Sequence, residues 1–153
     1  MVDSAKTFFS KTLKSGISKS SEIYLRSKLR LMYISDSFKP DDYNKLIKSE
    51  RYPEKQPLIL YYMALTCLKN NADQAVFIFN KSLKLNNDDR SLKLRTYRNL
   101  LDINYDRGNY FISSRYVDSL LNYEDQSSKE VNRQRKSILD RFGEKLKEFL
   151  DNA

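Results

Sequence analysis

Apolar residues recur along this chain at three- and four-residue intervals, in segments separated by short polar or proline-containing breaks. That spacing gathers side chains on one face of a helix. Phe9, Leu13 and Ile17 repeat every fourth residue with Phe8 beside them, and predict a short amphipathic helix within residues 1–20. Over residues 21–35, Ile23, Tyr24, Leu31 and Ile34 mark one helical face, widened by Leu25, Leu29, Met32 and Tyr33. Pro40 breaks the chain, and Asp41 or Asp42 is expected to cap a short helix that buries Tyr43, Leu46 and Ile47. Arg51-Tyr52-Pro53 ends it.

Pro57 suits the first turn of the next helix, whose stripe is Leu58, Tyr61, Leu65 and Leu68. Asn70-Asn71 makes a turn, and a return helix starts at Ala72 with Ala75, Phe79 and Leu83 in register. After the polar link Asn86–Asp89, an Asx residue caps a helix from Arg90 to about Arg107. Its apolar row is Leu94, Tyr97, Leu101 and Tyr105, with Leu100 and Ile103 alongside. Gly108 closes it, since glycine tolerates the left-handed terminal conformation. Tyr110, Ser113, Val117, Leu120 and Leu121 mark the return. A polar link, Glu124 to Ser127, precedes a helix capped by Ser127 or Ser128 and reaching about Leu150, with Ile138, Phe142, Leu146, Phe149 and Leu150 as its stripe.

These segments predict an all-α fold of antiparallel helical hairpins. Residues 1–20 form a basic amphipathic arm, and residues 21–153 form one helical domain. Within that domain, 21–52 reads as a degenerate hairpin, 57–85 and 89–123 as similar hairpins in tandem, and 127–150 as a capping helix. The arm admits three readings: a packed cap or adaptor arm, a helix lying on a membrane or partner surface, or an import presequence.

Composition narrows the function classes. The chain has no histidine, which removes the commonest general base and metal ligand. Cys67 is the single cysteine, so an internal disulfide is impossible and zinc–thiolate sites are excluded. Its neighbours Ala64, Leu65 and Leu68 predict a buried thiol rather than a reactive one. Gly16, Gly108 and Gly143 are isolated, so there is no glycine-rich phosphate loop. The expectation is a non-enzymatic protein that needs no cofactor and takes no small-molecule substrate. No apolar run reaches the roughly 18 residues that a membrane span requires. The net charge of +8 is concentrated at one end, where residues 1–34 carry seven cations against two carboxylates. Lys6, Lys11, Lys14, Lys19, Arg26, Lys28 and Arg30 form that basic patch. It could draw an acidic protein, anionic lipid or phosphate.

The stretch YRNLLDINYDRGNYFISSRYVDSLL, Tyr97 to Leu121, resembles a tetratricopeptide repeat. Tyr97, Leu100-Leu101, Gly108-Asn109-Tyr110 and Ser113 stand at the family's large, Leu-small, turn and small positions. In the preceding unit Leu60, Met63-Ala64, Asn70-Asn71, Ala75 and Phe79 match similar roles. The resemblance covers about residues 57–123 and implies a short right-handed superhelix with a terminal capping helix. The two-unit core, RYVDSLL and the extra terminal helices are similar in layout to the cytosolic domain of the mitochondrial fission-one adaptor family, which implies partner recruitment at a membrane. Where that family continues into a membrane anchor, this sequence reads KLKEFLDNA.

The resemblance also implies a partner groove along the first helix of each hairpin. Its positions here are Tyr61, Leu65 and Leu68, then Arg95, Arg98, Asp102 and Tyr105. The last four follow i, i+3, i+7, i+10, one helical stripe. The two arginines could pair bidentately with carboxylates of an acidic peptide; a plain solvated face is the alternative. Tyr61 and Leu65 stand where chaperone-binding repeats carry Lys and Asn, so their carboxylate clamp is not expected. The function expected is therefore an adaptor or scaffold subunit, cytoplasmic or peripheral on an organelle membrane, that binds a protein segment. The alternative is polyanion binding, to anionic lipid or nucleic acid, through residues 1–34. No nucleic-acid motif is present.

Overall fold

A computed structural model describes residues 2–49, 51–123 and 129–152. Among them are eight α-helices, one 3-10 turn and no strand. The helices fall into two compact units, Met1–Leu85 and Asn86–Ala153.

The first unit holds α1 (Val2–Lys14), α2 (Glu22–Ile34), α3 (Pro40–Lys48), the 3-10 turn Pro53–Lys55, α4 (Gln56–Leu68) and α5 (Ala72–Leu85). It is built around α4, which packs against α2, α3 and α5. Leu58 through Ala64 and Cys67 are all buried, so α4 is apolar on every side rather than along one stripe. The α4–α5 hairpin is antiparallel. Ser82 Oγ near the end of α5 donates to the Pro57 carbonyl at the start of α4, at 2.7 Å. One turn further in, the Tyr61 and Phe79 rings lie 5.7 Å apart. Ala64 and Ala75 are both fully buried, which lets the two backbones approach.

Two details in α2 and α3 differ from the sequence reading. The buried face of α2 is Leu25, Leu29 and Met32, while Ile23 is 61% exposed. Both faces of α2 are apolar in sequence, and the i, i+4, i+7 set is the one turned to the core. α3 begins at Pro40, one turn earlier than the aspartates suggested. Asp42 caps from inside the helix, its carboxylate accepting the Lys39 N–H at 3.0 Å. Tyr43 of α3 is fully buried, and its hydroxyl meets Thr66 Oγ1 of α4 at 2.7 Å. Thr66 spends its own proton on the Tyr62 carbonyl at 3.1 Å, so Tyr43 is the donor. Burial pushes the Tyr43 phenol up to about 12.

Of the arm expected over residues 1–20, Val2–Lys14 is helical as α1 and packs on α2, yet none of its residues is buried, and Ile17 of the predicted stripe lies beyond the helix end. The Arg30 guanidinium of α2 lies 5.8 Å over the Phe9 ring, and Phe8 is 65% exposed.

The second unit holds α6 (Arg90–Asp106), α7 (Tyr110–Tyr123) and α8 (Lys129–Asp151). Asp89 caps α6 by accepting the Leu92 N–H at 2.8 Å. Gly108 turns the chain with φ 70°. The α6–α7 hairpin is antiparallel, as the ring pairs Tyr97–Tyr116 at 6.2 Å and Tyr105–Tyr110 at 5.3 Å show. Between them Ser113 is fully buried, its hydroxyl reaching the Leu101 carbonyl at 3.4 Å and the Asn109 carbonyl at 3.2 Å. A core of Leu101, Val117, Leu120 and Ile138 joins all three helices. The burial of α6 also includes Thr96 and Asn104, which the apolar row omitted. Each satisfies itself within the helix, Thr96 on the Leu92 carbonyl at 2.8 Å and Asn104 on the Leu100 carbonyl at 2.7 Å.

α8 runs antiparallel to α7. Arg135 meets Asp118 at 3.5 Å and the Phe142 ring sits 6.1 Å from Phe111. At the hairpin turn, Lys145 Nζ donates to the Gly108 carbonyl at 2.9 Å. With Lys145 already level with the turn, the remainder of α8 runs beyond the start of α7. Its expected stripe is consequently buried at Ile138, partly covered at Phe142, and exposed at Leu146 (48%) and Leu150 (64%). The link 124–127, the proposed Ser127 or Ser128 cap and the Phe149 side chain lie outside the described residues.

Candidate functional site

The seven residues expected to line a groove divide between the two units, three on α4 and four on α6. Tyr61 is 7% exposed, its ring set against Tyr62 at 5.6 Å and Phe79 at 5.7 Å. Its surface is committed to the core of the first unit, because α4 is the central helix there. Leu65 and Leu68 are half-buried at the end of the same helix.

On α6 the stripe runs from a half-buried Arg95 through exposed Arg98 and Asp102 to a half-buried Tyr105. Asp102 and Tyr105 line one cavity of about 520 Å³ between α6 and α8. The cleft exists because α8 leans on α7, its main neighbour, and stands off from α6. Its floor is apolar, formed by Leu101 and Ile138, which are 5% and 2% exposed. Its α8 wall is Glu130, Arg133, Gln134 and Ser137. Arg133 bridges to Glu130 at 3.1 Å, so that wall shows both signs of charge. A cavity of this size, apolar beneath and polar at the rim, suits a side chain or a short peptide segment.

Electrostatics at the α6 wall comes first from partial desolvation and then from neighbours on the same helix. Partial burial, then the adjacent Asp106, pushes the Asp102 carboxyl up, while Arg98 holds it down. Across from Tyr105 on α8, its phenol, followed by the charge of Glu144, raises the Arg141 guanidinium above its ordinary value. Glu130, Arg133, Gln134 and Ser137 are not among the residues expected from sequence, which marked only Ile138 on this part of α8. Their spacing carried the signal: 130, 134 and 138 share a helix face with 133 and 137, and Ile138 is its apolar anchor.

A second surface lies at the hairpin turn. Phe111, Ile112, Phe142 and Leu146 line a shallow apolar cavity of about 430 Å³ beside Gly108 and Lys145. Phe111 and Ile112 are 59% and 43% exposed there.

The residues of the basic patch are spread over α1, the link after it and α2. Lys6, Lys11 and Lys14 lie on α1 and Lys19 in the following link. Arg26 is taken up by Glu22 at 2.7 Å, and Lys55 reaches the same carboxylate at 2.9 Å. Those hydrogen bonds, Lys55 first and then Arg26, hold the Glu22 carboxyl below its usual range. Arg30 is over Phe9. Lys28 lines a cavity of about 350 Å³ between α2 and α3. Cys67 is buried, and burial pushes its thiol up, away from the reactive thiolate. Among the described residues no group of three or more His, Cys, Asp or Glu side chains could hold a metal ion, and no helix is long and apolar enough to cross a membrane.

No family model, curated protein or solved structure matches this chain.

Proposed function

We propose that the protein is a non-enzymatic adaptor or scaffold subunit, that its tandem hairpins are tetratricopeptide-like units of a right-handed superhelix, and that the cleft between α6 and α8 holds a segment of a partner protein. The observation that carries the reading is the cleft itself. An apolar floor of Leu101 and Ile138 sits below a rim of Asp102, Tyr105, Glu130 and Arg133. Peptide grooves combine those two features, an apolar anchor point and polar groups that fix orientation. Small buried residues at the helix crossings, Ala64 and Ala75 in one hairpin and Ser113 in the other, fit the repeat-like reading. Arg95 and Arg98 continue the α6 stripe outward from the cleft and supply the positive end that an acidic partner segment would meet.

The test is crosslinking and pull-down from native cells with partners identified by mass spectrometry, using wild type and the double variant Arg95→Ala, Arg98→Ala. The reading expects a defined partner lost from the variant while its helical content and melting are unchanged. Undiminished recovery from a folded variant counts against it.

A further inference from the structure

The cavity on the first unit has an electrostatic arrangement that folding alone does not account for. Tyr24, Lys28 and Met32 of α2 form one wall, α3 another, and Arg51 and Tyr52 close the end. The Tyr52 hydroxyl donates to the Lys19 carbonyl, which fixes that end of the cavity to the link after α1. Lys28 is half-buried and therefore partly stripped of water. That burial first, and then the like charges of Arg51 and Lys19, hold the Lys28 ammonium below its ordinary value. Asp42 is the carboxylate in the lining among the described residues, and it is already engaged by the Lys39 N–H at 3.0 Å and by Lys45 at 2.9 Å. Among the described residues no carboxylate pairs with Lys28 or Arg51. A half-buried ammonium facing like charges costs stability unless an anion meets it.

We propose that this cavity binds a phosphate monoester, with Lys28 and Arg51 as its charge partners and the Tyr24 hydroxyl as a neutral donor. A phosphate monoester carries about −1.5 to −2 charge near neutrality with three acceptor oxygens, enough to balance two cations beside a third. A single carboxylate would leave the cluster positive. The volume of about 350 Å³ admits the phosphate with a small attached group. A soluble phosphorylated compound and a lipid headgroup share this chemistry. The site lies entirely in the first unit and is independent of the α6–α8 cleft.

The experiment follows thermal unfolding and equilibrium binding of the full chain with inorganic phosphate, glycerol phosphate, and vesicles of phosphatidylcholine with or without phosphatidic acid. Chloride at matched ionic strength controls for screening. Wild type is expected to bind saturably. Lys28→Met and Arg51→Met should each weaken binding about tenfold or more, the loss expected for a charge-assisted contact. Lys84→Met, exposed on α5, should not. Without phosphate, Lys28→Met should melt above wild type, because it removes an uncompensated charge, so loss of binding cannot be ascribed to unfolding. Binding of the soluble phosphates makes the ligand a free compound. Binding confined to phosphatidic acid vesicles, and lost in both variants, makes it a headgroup. No saturable binding in either arm, or binding indifferent to Lys28 and Arg51, overturns the proposal.

Discussion

Tyr43 offers a measurable link between packing in the first unit and pH. Its phenol is fully buried between α3 and α4 and donates to Thr66, so ionisation must place a charge in the core. Burial pushes its pKa up to about 12 from 10.0, opposed in part by the Thr66 hydroxyl, which can turn to donate to the phenolate. A folded pKa above the unfolded one means that the folded chain keeps its proton longer. The stabilisation is thus complete below the unfolded value and is lost as pH climbs from about 10 through about 12. At about pH 11 the linkage amounts to about 1.4 kcal/mol, and once both states are ionised to roughly 3 kcal/mol. Replacing Tyr43 by Phe removes this term. At neutral pH the variant should be about 1 kcal/mol less stable, the usual net worth of a buried hydrogen bond. The gap should close near pH 11 and then reverse, since the wild type alone loses the Tyr43 contribution. Urea unfolding of the two proteins followed by circular dichroism from pH 8 to 11.5 reads this as a difference, in which the ten other tyrosines and the lysines cancel. A gap that stays constant with pH would refute the buried placement of the Tyr43 phenol.

Ser113→Ala should alter stability by no more than about 1 kcal/mol, because the carbonyls of Leu101 and Asn109 lose only a second partner. Ser113→Leu should cost about 1–3 kcal/mol or more by forcing α6 and α7 apart, and chemical denaturation distinguishes the two. Among the glycines the signs should oppose. Gly108→Ala, at φ 70°, is expected to destabilise by about 1–2 kcal/mol and to dislodge Lys145, whose Nζ would sit 3.1 Å from the new Cβ. Gly143→Ala, in mid-helix with nothing within 4 Å, should stabilise by about 1 kcal/mol, read as a raised melting temperature.

Helix positions were legible because apolar spacing and end signals agreed: Asp89 before α6, Gly108 after it, and Ala72 at the start of α5. The helix crossings were legible too, through Ala75 and Ser113, whose small size matters only where backbones meet. What periodicity could not rank was which of two apolar faces turns inward. α2 offers both Ile23 and Leu25, and only the packing of α4 decides between them. Buried polar residues were equally hidden, since Thr96 and Asn104 satisfy their hydrogen bonds inside their own helix and so tolerate burial. The candidate cleft was half visible. Asp102 and Tyr105 stood on the predicted stripe, but its opposite wall depends on how α8 leans, a property of three-dimensional contact between Lys145 and the Gly108 turn. The Lys28 cavity depended likewise on Arg51, which sequence spacing assigned to a break between helices.

A segment of another protein that enters the α6–α8 cleft comes within reach of Asp102 on its wall. A photo-crosslinking amino acid placed at Asp102, and for comparison at exposed Arg115 on α7, tests this in native extract. The Asp102 probe should label one continuous segment of a partner, and a synthetic peptide of that segment should compete the label away. Equal labelling of the same proteins from Arg115, or labelling at Asp102 that the peptide leaves untouched, would contradict entry of a partner segment.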